Sequence, residues 1–371
     1  MRKFLRLFTK KVLIILNVLA ALIFLIAGLA PYVNPSAWWI VSILAYGFPF
    51  LLLTVVAFLI GWLFVKRRLA FISAIALLIG YKSIAVLLAF NFSPTFTQTK
   101  APQNIRVLTW NVARFVELKK SNNKGSTTRK KMLELIGEQN ADILCLQEFH
   151  SSSRKEYYDN ITTIQKNLGF PYHYFNRTED GSGLFYSSII FSKYPIVDSG
   201  LLRYPRPTLP DVLLQADIKI GKKTIKVYTT RLQSYQLKKG EYPTTEIINE
   251  EKNTLFRKVK SLIAKLYHTL TNHKIQSDII HQVMEDSPYP VVFCADLNDV
   301  PNSYAYHQCR GNKKDAFLEK GFGIGRTFAS ISPTLRIDYI FVDNAFSVNQ
   351  FKKLLRPYSD HYMQVADISI N

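Results

Sequence analysis

An apolar, all-α membrane region followed by a mixed α/β (α+β) domain is the fold class predicted by this sequence of 371 residues, on three observations. Residues 1–100 carry ten Lys or Arg and no Asp or Glu, within apolar runs long enough to cross a bilayer. From residue 105 onward, short runs rich in β-formers alternate with segments of helical spacing. Those runs break off on polar residues, as Val291-Val292-Phe293-Cys294 does before Asp296 and Asn298, so polar side chains gather where buried strands end.

The first apolar run, 12–30, contains one polar residue, Asn17, and follows Arg2, Lys3, Arg6, Lys10 and Lys11. That basic start and the small residues Ala27, Gly28 and Ala30 also suit a cleaved signal peptide, but two further apolar segments favour an uncleaved span. The second run, 38–65, carries Trp38 and Trp39 at one edge and Trp62 near the other, and stops at Lys66-Arg67-Arg68. Aromatic edges and a basic stop suit a membrane interface. The third, 69–90, is interrupted by Lys82, whose ammonium must snorkel, pair or meet a headgroup. Basic residues cluster before the first span and between the second and third, and none lies in 31–37; the amino terminus is therefore expected in the cytoplasm. Three spans then place the large domain on the extracytoplasmic face, whereas two would leave it cytoplasmic. The expected division is a membrane region over 1–92 with spans 12–30, 38–65 and 69–90, a linker over 93–104, and a large domain over 105–371.

Within that domain, Ile105 to Asn111 alternates and breaks at Trp110-Asn111, as a first strand would. A Lys-, Ser- and Asn-rich stretch over 119–131, holding Gly125, reads as a solvated loop before a helix from Arg129 to Glu138. Ala141 to Leu146 is a second buried strand ending at Gln147-Glu148. Gly183 to Phe191 is a strand closed by a turn at Tyr194-Pro195, and Val212–Ile220 with Thr224–Thr230 flanks Gly221 as a hairpin. From Thr245 to Met284 the apolar positions Leu255, Val259, Leu262, Ile263 and Leu266 have helical spacing, predicting one or two crossover helices with Lys258, Lys260 and Lys265 on a solvated face. Ile337–Val342 and Gln364–Ile370 supply the last strands. Cys145, Cys294 and Cys309 have no metal-like spacing, and the first two lie in apolar runs where a thiol acts as a small core hydrophobe; no structural zinc is expected. After residue 100 there remain 37 basic against 27 acidic side chains, a balance that favours anionic partners without choosing among phosphodiesters, diphosphates and an acidic membrane surface.

In order, the polar strand ends read TWNV, CLQEF, TTRLQS, ADLNDVP, RIDYIF and YSDHY. That ordered set resembles the endonuclease/exonuclease/phosphatase superfamily of metal-dependent phosphoesterases over about residues 104–371. The resemblance implies a four-layered sandwich of two mostly antiparallel sheets flanked by helices, and a Mg²⁺ (or Mn²⁺) cofactor. Phosphoester hydrolysis needs an oriented water, a hard cation and donors for developing negative charge. By the resemblance, Glu148 is the metal-ligating carboxylate, Asn111 positions Glu148 and phosphate within the metal set, and Asp360 is a further metal or water contact. Asp296 orients or deprotonates the attacking water, and Asn298 contacts a phosphoryl oxygen. His361 binds the scissile phosphate or moves a proton, with Asp338 fixing its tautomer and charge.

One departure stands out. Where many members carry His in an NTHL-type strand end, this chain has Arg231, which cannot release its proton at ordinary pH. Arg231 is then an electrostatic clamp, or the leaving group needs no protonation, or the protein binds an anionic ligand without turning it over. Ala295 in place of the usual Gly leaves the chemistry alone. The apolar region makes the lipid bilayer an expected partner and argues for a lipid-linked phosphoester or prenyl diphosphate as substrate; nucleic acid, cleaved as by a nuclease, is the alternative. No protein partner is predicted.

Overall fold

The computed structural model describes residues 2–92, 95–118, 120, 127–176, 183–208, 211–235, 252–330 and 332–371. Most of the loop expected over 119–131, and the approach to the crossover helix over 236–251, lie outside them. The chain forms two compact units. One comprises Met1–Leu88, Tyr235–Lys274 and Val300–His307, the other Ala89–Ser234, Ile275–Asp299 and Gln308–Asn371.

The first unit holds α1 (Arg2–Gly28), α2 (Trp39–Val65), α3 (Arg67–Ile79) and α4 (Tyr81–Leu87). Two apolar helices, over Phe8–Tyr32 and Trp39–Val65, are long and apolar enough to cross a membrane. The third segment, expected as one span over 69–90, is broken in the middle and passes as a span only if its two helices count together. It is two helices bent by 65° at Gly80, and residues 89 and 90 are already strand. Gly80 separates the two helices, and the Phe24 ring of α1 approaches it so closely that a Cβ there would lie 2.5 Å from the ring. The Phe24 ring also stacks on Phe48 at 4.9 Å. Asn17, the polar residue of the first run, is buried and accepts a hydrogen bond from Ser73 Oγ at 2.8 Å, which satisfies its oxygen inside the helix cluster.

The second unit is an α/β sandwich. Its strands are β1 (Ala89–Phe90), β2 (Ile105–Asn111), β3 (Ile143–Ser152), β4 (Tyr172–Phe175), β5 (Leu184–Ser192), β6 (Ile196–Arg203), β7 (Val212–Ile220), β8 (Lys223–Arg231), β9 (Val291–Asp296), β10 (Lys314–Asp315), β11 (Phe322–Gly323), β12 (Asp338–Val342), β13 (Phe346–Leu354) and β14 (Met363–Ile370). The helices are α5 (Thr127–Glu138), α6 (Asn160–Leu168), α7 (Lys252–Glu285), α8 (Tyr304–Arg310) and α9 (Ala316–Lys320); α7 and α8 each have residues in both units. Two six-stranded sheets run β10-β12-β9-β8-β7-β6 and β13-β14-β2-β3-β5-β4. Only β2/β3 and β8/β9 pair in parallel within them, so both sheets are mostly antiparallel, as expected.

Alternation along the strands decides which side chains enter which layer. Val107, Ile143, Cys145 and Ile190 of one sheet share a core with Leu214, Val227, Val292, Cys294 and Ile340 of the other. Their neighbours Leu108, Trp110, Leu144 and Leu146 face outward against Met132, Ile136 and Ile164 of α5 and α6. On the opposite side α7 covers the other sheet, with Ile280 and Met284 buried and Tyr228 Oη donating to the Val283 carbonyl at 3.2 Å. The crossover helix is thus one helix through its described length. Gly221, at φ +60°, closes the β7–β8 hairpin, a turn that glycine makes without strain.

One buried ion pair locks β14 to β2. Arg106 is fully buried, and its Nε and Nη2 donate to the two carboxylate oxygens of Asp367 at 2.6 and 2.9 Å. Its remaining donors reach the carbonyls of Thr97, Gln98 and Gln139. With every donor matched, the cost of burying the charge is offset; removing one partner exposes it in full. Asp367→Ala should therefore lower stability by about 3–5 kcal/mol, measured by chemical denaturation. A loss near zero would show that the pair contributes nothing.

Candidate active site

Strand register assembles the site. β8, β9 and β12 lie side by side, and their pairing sets Arg231 opposite Asp296 and Asp296 opposite Asp338. Three residues from separate sequence motifs therefore share one sheet edge. In the facing sheet β2 ends at Asn111, and β14 begins two residues after His361. Glu148 comes from a different device. β3 shifts register between Leu146 and Phe149, and Glu148 takes φ +47°; such an irregularity re-aims one side chain out of the strand's alternation. The preceding Gln147 is anchored by hydrogen bonds to Thr109 Oγ1 and Thr229 Oγ1, both at 3.0 Å, which tie the two sheets together beneath the site.

Asp296 is fully buried. Its Oδ1 accepts from the Asn298 backbone N–H at 2.9 Å and its Oδ2 from Asn111 Nδ2 at 2.9 Å. Beyond these stand His361 Nε2 and Arg231 Nε, each 3.8 Å from Oδ2. Burial raises the Asp296 pKa most, Asp338 adds to it, and His361, Arg231 and the Asn111 bond pull it back, leaving it at about 6. His361 Nδ1 lies 3.0 Å from both oxygens of Asp338. Burial alone disfavours its imidazolium, but Asp338 and Asp296 outweigh burial and raise its pKa to about 10. At neutral pH His361 is thus a cation between two carboxylates, and the Phe328 ring meets its edge at 5.0 Å.

Arg231 lies among four carboxylates. Nη2 is 3.1 Å from Glu148, Nη1 3.5 Å from Asp211 and Nε 3.8 Å from Asp296. Burial works against its charge, yet Glu148, Asp211, Asp296 and Asp360 together raise its pKa. Its Nε–H has no hydrogen-bond acceptor although it is buried. Asn298, also at positive φ (+49°), donates its Nδ2 to the Leu232 carbonyl at 2.9 Å. Asp360 is exposed at the margin, and the neighbouring Ser359 Oγ donates to the Asn111 carbonyl at 2.8 Å.

The Asn111 amide turns its nitrogen toward Glu148 (3.4 Å) and Asp296, while its Oδ1 accepts from Ala113 N–H. Asp296, Asp338 and His361 bring ligating atoms within 4.8 Å of one another, and a cation there would have to displace the His361 proton. The residues do fit a hard cation at the Glu148 side. Five carboxylates, Glu148, Asp211, Asp296, Asp338 and Asp360, stand against three cations, Arg231, His361 and the largely exposed Arg114, whose Nε lies 4.0 Å from Glu148, and Mg²⁺ needs only one or two protein carboxylates with water and phosphate oxygens.

Asp211 was not among the residues expected from sequence. Burial raises its pKa, Arg231 lowers it, and Glu148 and Asp296 raise it. Its signal was available in the hairpin: antiparallel pairing of Leu214 with Thr229 carries the start of β7 to the end of β8, where Arg231 sits.

The sequence profile of the Endonuclease/Exonuclease/phosphatase family matches residues 108–361, and that of a Domain of unknown function (DUF8431) matches residues 10–87. No curated protein sequence matches. Among solved structures, an endonuclease/exonuclease/phosphatase from Beutenbergia cavernae DSM 12333 aligns with TM-score 0.51 and 19% identity over 72% of each chain. A humanized D. rerio TDP2 carrying 14 mutations aligns with TM-score 0.51 and 14% identity, over 72% of this chain and 99% of that one. The human Nocturnin catalytic domain with bound sulfate anion gives 0.50 and 19%, over 72% and 94%. At such identities the structural likeness speaks for the fold. The family profile spans about two thirds of the sequence and takes in the strand ends from Asn111 to His361; the chain belongs to the endonuclease/exonuclease/phosphatase family.

Proposed function

We propose that this protein is a membrane-anchored, divalent-metal-dependent phosphoester hydrolase acting on a lipid-linked phosphoester, with a prenyl diphosphate as first choice. The observation that carries the chemistry is the buried line Asp338–His361–Asp296, flanked by an Arg231 Nε–H that has no acceptor. Asp296, ionised above about pH 6, takes the proton of the attacking water. The His361 imidazolium, held by Asp338, and the Arg231 guanidinium donate to the phosphoryl oxygens as negative charge develops there. The second Nδ2–H of Asn298 reaches the same oxygens. Glu148, with Asp360 at its margin, would hold a Mg²⁺ or Mn²⁺ ion, which when bound neutralises phosphoryl charge. Water oxygen bonds to phosphorus as the bond to the leaving oxygen breaks. A phosphate leaving group departs as an anion without a proton, so a diphosphate suits Arg231 better than an alkoxide ester does.

The anchor reading rests on the two apolar helices and on their outward faces. Leu53 is 66% exposed and Phe64 87% exposed, apolar surface of a kind that lipid covers. A second reading, of a protein that binds an anionic ligand without hydrolysing it, is favoured by one observation: Arg231 lies 3.1 Å from Glu148 and so competes with a metal ion for that carboxylate.

Turnover by the purified full chain, with Mg²⁺ and with a chelator, tests these readings against a prenyl diphosphate, a phospholipid, an inositol phosphate and DNA. Metal-dependent release from the prenyl diphosphate or the phospholipid is expected; release from DNA alone would make the protein a nuclease, and no release from any would favour the binding protein. The pH dependence has a definite sign. The value of kcat/KM should rise as Asp296 loses its proton near pH 6 and fall as His361 loses its own near pH 10. Arg231 holds the Asp296 pKa down, so Arg231→Ala should move the acid limb upward and lower kcat about 10²–10³-fold; an unshifted limb with unchanged turnover would remove Arg231 from the reaction. With the bent pair α3–α4 taken as one broken span, protease should reach the large domain of sealed, oriented vesicles only from the extracytoplasmic side, and cleavage from the cytoplasmic side would show that only two helices cross.

A further inference from the structure

The active-site end of the sandwich carries a second set of cations that the reaction described above does not use. β13 and β14 pair Lys353 with Gln364 and Leu354 with Met363, so Lys353 lies at the end of its strand, across from a residue three positions after His361. Alternation puts it on the same face as Phe351, which packs against the core between the sheets. Lys353 therefore leans into the mouth of the gap between the two sheets.

Its ammonium lies 5.7 Å from the centre of the Tyr362 ring, and the Arg326 guanidinium lies 6.0 Å from the same ring. Arg326 is held in place by backbone alone: its Nε donates to the Phe328 carbonyl at 2.7 Å and its Nη2 to that of Ala329. Phe328 in turn bridges to His361, and Tyr362 N–H donates to the Thr327 carbonyl at 2.8 Å. The pair of cations is thus built onto the backbone that carries the catalytic histidine. Neither has a carboxylate partner among the described residues, in contrast to the nearby Arg336, which is bound to Asp315 at 2.6 Å. Burial, then Arg326 and Arg336, push the Lys353 amine down to about 8. Two cations held together without an anion cost free energy that a bound anion would recover.

The geometry points to Lys353 and Arg326 as a subsite for a second phosphate on the substrate, beside the phosphoryl group attacked at Asp296. This rests on the phosphoesterase reading and sharpens it, because a substrate with a single phosphate leaves the subsite unfilled. Charge-assisted contacts of this kind discriminate strongly between one phosphate and two. The chemistry is shared by lipid diphosphates and by nucleotides carrying an additional phosphate, so two matched pairs are needed. One pair is farnesyl diphosphate and farnesyl monophosphate; the other is thymidine 5′-(p-nitrophenyl phosphate) with and without a 3′-phosphate.

The full chain should prefer the doubly phosphorylated member of one pair by about tenfold or more in kcat/KM, mainly through KM, and the pair that shows it identifies the source. Lys353→Met and Arg326→Gln should each collapse that ratio toward about one, while Lys353→Arg should keep it, an outcome that loss of packing alone would not produce. A wild-type protein without preference, or a preference that survives both variants, overturns the subsite and leaves the phosphoesterase reading standing. If neither pair is turned over, that reading fails instead, and calorimetry decides the subsite. Wild type should then bind pyrophosphate about tenfold more tightly than orthophosphate, an advantage lost in Lys353→Met; equal binding of the two anions overturns it.

Discussion

Asp296 is a carboxylate with no exposed surface, and the geometry around it exists to make its charge tolerable. A buried carboxylate without partners would hold its proton well into the neutral range. Here the Asn298 backbone N–H and the Asn111 amide are bonded to it, and His361 and Arg231 stand 3.8 Å away. Each partner comes from a different strand or turn, so the two sheets must be in register for Asp296 to ionise near pH 6. The opposing pulls of burial and cations leave a carboxylate whose affinity for a proton lies close to neutrality, which is what the general-base role proposed for it requires. The same arrangement raises His361, because each carboxylate that needs a cation also stabilises one.

The strand ends could be read from the sequence because two independent signals coincide there. A run of β-formers ends, and an acid, amide or histidine follows; ADLNDVP and RIDYIF end side by side in one sheet, and TWNV and YSDHY meet them from the facing sheet. Less regular elements escaped. β4, β6 and β13 carry exposed or half-buried residues through most of their length, which blurs their alternation, and β13 also shifts register between Val348 and Gln350. With β13 invisible, nothing in the sequence singled out Lys353, and its approach to Tyr362 could not be foreseen. The irregularity that turns Glu148 out of β3 is likewise a property of pairing, since nothing in CLQEF announces it. The third apolar segment shows the reverse limit: its hydropathy suits a span, but the 65° bend at Gly80, where the Phe24 ring lies close, is not visible in hydropathy.

Arg231 is the point at which the chain's own residues depart most from a histidine at the leaving oxygen. A guanidinium keeps its charge at every working pH, so it stabilises an anion but cannot supply a proton. Around it Glu148, Asp211, Asp296 and Asp360 raise its pKa further, which makes the charge still more permanent. Such a residue can stabilise charge on the phosphoryl oxygens whatever leaves, but it can assist departure itself only where the leaving group needs no proton. A second phosphate meets that condition, and it also meets the need of Lys353 and Arg326, which carry positive charge at the mouth of the same gap with no carboxylate partner among the described residues. Two features in different strands, one at the end of β8 and the other at the end of β13, therefore call for the same kind of substrate for independent reasons: the first because of what must leave, the second because of what must be held.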